Sequence, residues 1–169
     1  MAVKTILLNE YVVPEGMPLK TAVRQALEER LRKITTKNGY WFDVTVYDFT
    51  KGPYNDSNVP YPFIQVVNSG VEMTSTSGES IQVKNTLNVS CIVQTDSAID
   101  DTDLQLEKME EDVLRCLFPD KIGLQKGAFN SLNVELVDMK YNTRELGDDE
   151  ASLELTITFN TSIKAKKEP

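Results

Sequence analysis

The 169-residue chain has no histidine. That absence removes every catalytic triad and every metal site built on imidazole. Cysteine is almost as scarce: Cys91 and Cys116 are the only two, they form no CxxC pair, and without histidine they cannot complete a zinc set. Buried free thiols are the expectation. The phosphate-binding patterns GxxxxGK[ST] and GxGxxG are missing, as is the nucleophile elbow GxSxG. No apolar run approaches the ~20 residues that a membrane-spanning helix needs. The apolar part of Met1-Ala2-Val3-Lys4-Thr5-Ile6-Leu7-Leu8 is too short and too soon interrupted for a signal peptide, so synthesis in the cytosol is expected. Basic residues are the minority, 18 against 26 acidic, for a formal charge of −8. This balance argues against tight sequence-independent binding to nucleic acid, where phosphate neutralisation dominates affinity. Runs of carboxylates do occur, at Glu110-Glu111-Asp112 and Asp148-Asp149-Glu150. On a helix and in a turn such runs read as solvated surface rather than an active site. No catalytic residue, cofactor or metal is expected.

What is present is the material of a compact scaffold. An apolar fraction of 40% fills one core. Residues 1–17 read as an extended arm that pairs either with its own sheet or with a neighbour's edge. Residues 18–163 read as one α+β domain, and 164–169 as a polar tail. From Pro18 to about Lys37 the apolar residues Leu19, Ala22, Val23, Ala26, Leu27, Leu31 and Ile34 share one helical face, and Asn38-Gly39 supplies a left-handed stop. Arg30 falls inside that apolar arc, either snorkelling to water or making an interfacial ion pair. Tyr40 to Thr50 has strand composition. The loop 51–62 follows, rich in proline and turn formers, with Tyr54 and Tyr61 as candidate contacts.

The strongest pattern is a long hairpin. Phe63 to Thr74 forms one strand, Ser75 to Glu79 the turn, and Ile81 to Thr95 the return. In the return, Ile81, Val83, Leu87, Val89, Cys91 and Val93 take alternate positions, with polar residues filling most of the others. The Ser/Thr-rich tip, including Thr74, Ser75, Thr76, Ser77 and Glu79, is expected to project past the sheet. Asp96, Asp100, Asp101 and Asp103 read as the acidic start of a second helix rather than a calcium loop, since they match no EF-hand spacing. That helix carries two apolar stripes. Leu106, Met109, Val113, Cys116 and Leu117 form the first, while Leu104, Leu114 and Phe118 form a second, to be covered by the loop 119–130 or by another subunit. Leu132–Tyr141 and Leu153–Ile163 read as the last strands, the latter alternating strictly. Together these elements predict a two-layer α+β sandwich: a mainly antiparallel sheet with two helices on one face and a long hairpin.

This arrangement resembles the tail terminator and tail-completion (neck) proteins of long-tailed bacteriophages. The likeness is carried by Ala26-Leu27-Glu28-Glu29-Arg30-Leu31-Arg32-Lys33-Ile34, Asn38-Gly39-Tyr40 turning into Phe42-Asp43-Val44, and Tyr61-Pro62-Phe63-Ile64-Gln65-Val66-Val67 with Glu72. Leu106-Glu107-Lys108-Met109-Glu110-Glu111-Asp112-Val113-Leu114 completes it. The resemblance implies a virion protein of the tail or neck, assembled in the host cytoplasm. It implies a ring, usually a hexamer, that caps the last tail-tube ring, ends polymerisation and meets the head connector or a neck protein. DNA would pass the acidic lumen without specific binding. Two other readings remain at this point. One is a small adaptor or neck protein that grips a partner through the loop 51–62 and the hairpin, aromatic residues being common anchors; the other is an enzyme using carboxylates or a reactive thiol.

Overall fold

The computed structural model describes residues 4–8, 11, 14–47, 60–94, 102–119, 134–143 and 150–164. Among them lie two helices and six strands: β1 (Lys4–Thr5), α1 (Leu19–Leu31), β2 (Thr45–Val46), β3 (Phe63–Ser77), β4 (Ser80–Gln94), α2 (Thr102–Leu117), β5 (Glu135–Thr143) and β6 (Glu150–Lys164). The strands form one sheet in the order β1-β5-β6-β4-β3-β2, antiparallel except where β2 runs beside β3. Both helices lie on one face and pack on each other. The α+β fold expected from the pattern is the fold observed.

Alternation along β4 and β6 explains the core. Leu87, Val89, Cys91 and Val93 face the same side as their cross-strand partners Ile157, Leu155, Leu153 and Ala151, and all are buried. Ala26, Leu27 and Leu31 of α1, and Met109 and Val113 of α2, close over them. At ~25 cal/mol per Å² of apolar surface, each large side chain buried here contributes about 1.5–3 kcal/mol before conformational entropy is counted.

Several expected boundaries move, for reasons that lie elsewhere in the chain. The first helix stops at Leu31, not Lys37. Thr35 instead opens a separate one-turn 3-10 helix over Thr36–Asn38, its hydroxyl accepting from the Asn38 N–H. Gly39, at φ 91°, is the left-handed stop of that turn. The strand expected over Tyr40–Thr50 is reduced to Thr45–Val46; residues 48–50 lie outside the described ones. Its backbone donors go to other partners: Trp41 and Phe42 N–H donate to the Asp112 carboxylate at 2.9 and 3.0 Å, and Val44 N–H to the Ile34 carbonyl at 3.1 Å. A backbone satisfied in this way has no ladder to join. Asp112 is accordingly fully buried, not part of a solvated acidic run. The arm pairs with its own sheet: Lys4 and Thr5 lie against Leu136 and Glu135, Ile6 N–H donates to the Val134 carbonyl, and Ile6 and Leu8 enter the core. The hairpin turn is Gly78-Glu79 alone, with Gly78 at φ 53°, so both strands run nearer the tip than expected.

Candidate interface at the uncovered end of the hairpin sheet

The hairpin outruns its neighbours on both sides. β2 pairs with β3 only at Phe63 and Ile64, and β5 leaves β6 after the Glu135–Thr158 pair. Beyond those points β3, β4 and β6 continue as a three-stranded ribbon comprising Val71–Ser77, Ser80–Asn85 and Phe159–Lys164. Among the described residues, neither outer edge of this ribbon has a strand beside it.

The apolar character does not stop where the helices stop. Cross-strand partners share a face, so Met73, Val83 and Thr161 form one row, and Val71, Asn85 and Phe159 the next, on the side that is the core further down. Val71 is 66% exposed, Met73 65% and Ile163 54%. Val83, on the middle strand, is 6% exposed. Phe159 and Thr161 of β6 are likewise buried, at 1% and 9%, so the exposed apolar surface is Val71 and Met73 on β3 and Ile163 alone on β6.

A bulge places it there. In β3 the core-facing positions are even as far as Asn68, which faces Leu87, whereas past the irregularity at Asn68/Gly70 they become odd, Val71 facing Asn85. One inserted residue exchanges the faces of the residues beyond it, up to the next irregularity. Without it Val71 and Met73 would lie on the polar side. A second irregularity falls between Met73 and Ser75. The hydroxyls of Ser69 and Thr74 at these two sites donate to the carbonyls of Thr86 and Gln82, each at 3.3 Å, pinning β3 to β4. Where the covered and uncovered halves meet, the buried Asn85 side chain donates to Thr161 Oγ1 at 3.0 Å and the Phe159 carbonyl at 3.4 Å.

The structure brings only some of the sequence-derived candidates to this surface. Thr74, Ser75, Thr76 and Glu79 lie on the exposed end of the ribbon, and Ser77 ends β3. Arg30 does not. It is 4% exposed, between the helices, where its guanidinium donates to the Leu117 carbonyl at 3.3 Å and the Arg30 carbonyl accepts from the Cys116 thiol. The expectation that its guanidinium snorkels to water gives way to a helix-to-helix contact. Leu114 and Phe118 pack against the core, Phe118 with Lys4 Nζ 4.3 Å above its ring, which leaves Leu104, 40% exposed, as the open member of the second stripe. Tyr61 is half-buried; its hydroxyl donates to Glu150 and its ring lies 5.5 Å from that of Phe63. Tyr54, residues 51–59, the acidic Asp96, Asp100 and Asp101, and the loop 120–130 lie outside the described residues.

Sequence reasoning missed three features. Trp41 is 53% exposed, with Lys108 Nζ 5.3 Å from the ring centre, and is held in place by the grip of Asp112 on its N–H. Val71 and Met73 stand in the sequence only as members of a strand. Their phase slip against Ile64 and Val66 was the available signal. On the opposite face of the sheet, Gln65, Ser90, Asn142, Glu150 and Glu154 line an open depression of about 180 Å³. Its carboxylates are already engaged, Glu154 by the hydroxyls of Ser90 (2.5 Å) and Ser152 (2.8 Å) and Glu150 by Tyr61.

Among the described residues the shifted groups are all shifted upward. Burial pushes the Cys116 thiol up to about 11 and the Cys91 thiol further in the same direction. Burial also raises the Tyr40 phenol to about 12, and acceptance of its proton by Glu110 raises Tyr141 to about 12. Asp112 is raised by burial, against the two N–H groups it accepts. Among the described residues no group of three or more Cys, Asp or Glu side chains is arranged to hold a metal ion, and no helix is long and apolar enough to cross a membrane. What the fold and this surface define is a helix-backed sheet with an uncovered, strand-edged end. Compared with known proteins, the chain matches no family model and no curated protein.

Proposed function

We propose that the chain is a structural assembly protein of the phage tail terminator type, acting in the virion as a ring of identical copies rather than as an enzyme. In this reading one face of the ring matches the last ring of the tail tube and the other does not, so growth ends and the free face receives the head connector or a neck protein. The observation that carries the proposal is the ribbon end, where Val71, Met73 and Ile163 are more than half exposed on a face that is core elsewhere. Exposed apolar surface bordered by strand edges that have no neighbour among the described residues favours association over a solitary existence. The order of elements in the likeness to terminator proteins adds support, as does the charge of −8, which suits a lumen that DNA crosses without adhering. The adaptor reading is weaker because Tyr61, one of its two anchors, is engaged with Glu150 and Phe63.

Size-exclusion chromatography with light scattering, followed by negative-stain imaging, tests this reading. The expected result is a closed ring with a central hole that binds the ends of tail tubes. A protein that stays a single chain at micromolar concentration and leaves tube length unchanged would overturn it.

A further inference from the structure

We infer that the chain carries a site of spontaneous covalent modification at Asn38-Gly39, where the Asn38 amide is lost only when the Thr35–Gly39 turn opens. The site stands apart from the ring reading above and does not depend on it. Asn38-Gly39 is the one Asn-Gly pair in the sequence. Glycine has no Cβ to shield its backbone nitrogen, so in such a pair that nitrogen reaches the preceding side-chain carbonyl more readily than elsewhere. Once it has lost its proton to base, the Gly39 nitrogen attacks Asn38 Cγ. The new C–N bond closes a cyclic imide, the bond from Cγ to Nδ2 breaks, and ammonia leaves with the proton it needs. Water then opens the imide at either carbonyl, leaving aspartate or isoaspartate in place of the asparagine. Water is taken up and ammonia released, with nothing oxidised or reduced. Both reactants are within reach of the site: Asn38 and Gly39 are exposed, and a Cβ built on Gly39 would meet open space among the described residues.

The fold holds the reacting groups apart. Gly39 N–H donates to the Thr36 carbonyl at 3.1 Å, so the attacking nitrogen is engaged within the turn. The leaving group is engaged as well, Asn38 Nδ2 donating to the Lys33 carbonyl at 2.8 Å. Asn38 N–H donates in its turn to the Thr35 carbonyl at 3.0 Å and the Thr35 hydroxyl at 3.3 Å. Attack needs the first two of these bonds broken together, which makes local opening of the turn the gate. Conversion then prevents full reclosure. A carboxylate has no proton to donate to the Lys33 carbonyl and sets acceptor against acceptor. Isoaspartate also adds a methylene to the main chain just ahead of Trp41 and Phe42, whose N–H groups Asp112 holds.

Peptide mapping of the full-length chain by mass spectrometry tests the site and its gate. Samples are held at mildly alkaline pH, folded and in urea, and the mass gain of amide-to-acid exchange at position 38 is followed with time. Asn38 should convert faster than every other asparagine in urea, and at least ~10-fold more slowly in the folded chain. Thr35→Ala removes one tie of the turn and should speed the folded-state reaction about 2- to 30-fold while leaving the rate in urea unchanged. Thr35→Ser keeps the hydroxyl and should keep the original rate. Another asparagine reacting first in urea would overturn the site. Equal rates in the folded chain and in urea would overturn the gate, and this comparison decides even where a variant fails to fold. No response to Thr35→Ala, in a chain that circular dichroism shows to be folded, would overturn it too. The converted form, separated by its added charge, should unfold at lower urea than the parent; an unchanged midpoint would overturn the claim that conversion prevents reclosure.

Discussion

The sheet has two halves built from the same three strands, and they differ in what lies over them. Near the helices, Leu87, Val89, Leu153 and Leu155 are sealed beneath α1 and α2. Toward the tip the same face continues through the exposed Val71, Met73 and Ile163, with neither α1 nor α2 above them. One half spends its apolar surface on folding, and the other retains it. Asn85 marks the border, a buried polar residue in an otherwise apolar row, satisfied by Thr161 and the Phe159 carbonyl. The contrast teaches that alternation in a strand reports which face is apolar, while only the length of the covering helices decides how much of that face is core.

Substitutions should separate the two halves. The largest effect is expected from Leu87→Ala, which opens a cavity under the helices and should cost about 2–5 kcal/mol by urea denaturation. A loss below ~1 kcal/mol would mean that the covered half is not the tightly packed one. Next comes Asp112→Ala, which strands two part-buried N–H groups at an expected total of ~1–3 kcal/mol. The charge on Asp112 has its own signature. Its folded pKa lies above the ordinary 3.8, so in the window above 3.8 the folded protein holds a proton that the unfolded chain has lost. Stability from this group is therefore highest at low pH and falls as pH rises through that window. Unfolding curves from about pH 4 upward should show this decline relative to Asp112→Asn, and parallel curves would argue against it.

At the uncovered end the expected effects on folding are small. Met73→Ser should move stability by no more than ~0.5 kcal/mol while weakening association. Shortening the tip between Thr74 and Ser80 should likewise damage assembly more than folding. A destabilisation comparable to that of Leu87→Ala would place Met73 in the core and erase the comparison. The smallest signal is chemical. Cys91 and Cys116, 0% and 3% exposed with thiols raised by burial, should react with a thiol reagent only on unfolding. Rapid modification of the native protein would reopen the thiol-enzyme reading.

Much of the covered half was legible in the chain. Period-two alternation in β4 and β6 and the single broad face of α1 depend on neighbouring residues, and they appear in the structure as expected. Features that depend on distant residues were hidden. The strand composition of Tyr40–Thr50 was misleading because Asp112, about seventy residues on, captures the backbone there. The partner of Arg30 inside its apolar arc was not legible because the carbonyl of Leu117 that receives it belongs to another helix. The candidate interface lay between these extremes. Its bulge was visible as a slip of the apolar phase between Val66 and Val71, and its border as Asn85 interrupting the β4 pattern. Neither is an element by itself, and each acquires meaning only once the register is known.

The most direct test of the account is the solution mass of the unmodified chain beside that of Met73→Asp, measured by light scattering at matched micromolar concentrations together with thermal unfolding. The account predicts a multi-chain mass for the first, a single-chain mass for the second, and unfolding midpoints that coincide. A single-chain mass for the unmodified protein, or an assembly that survives the substitution, would contradict it.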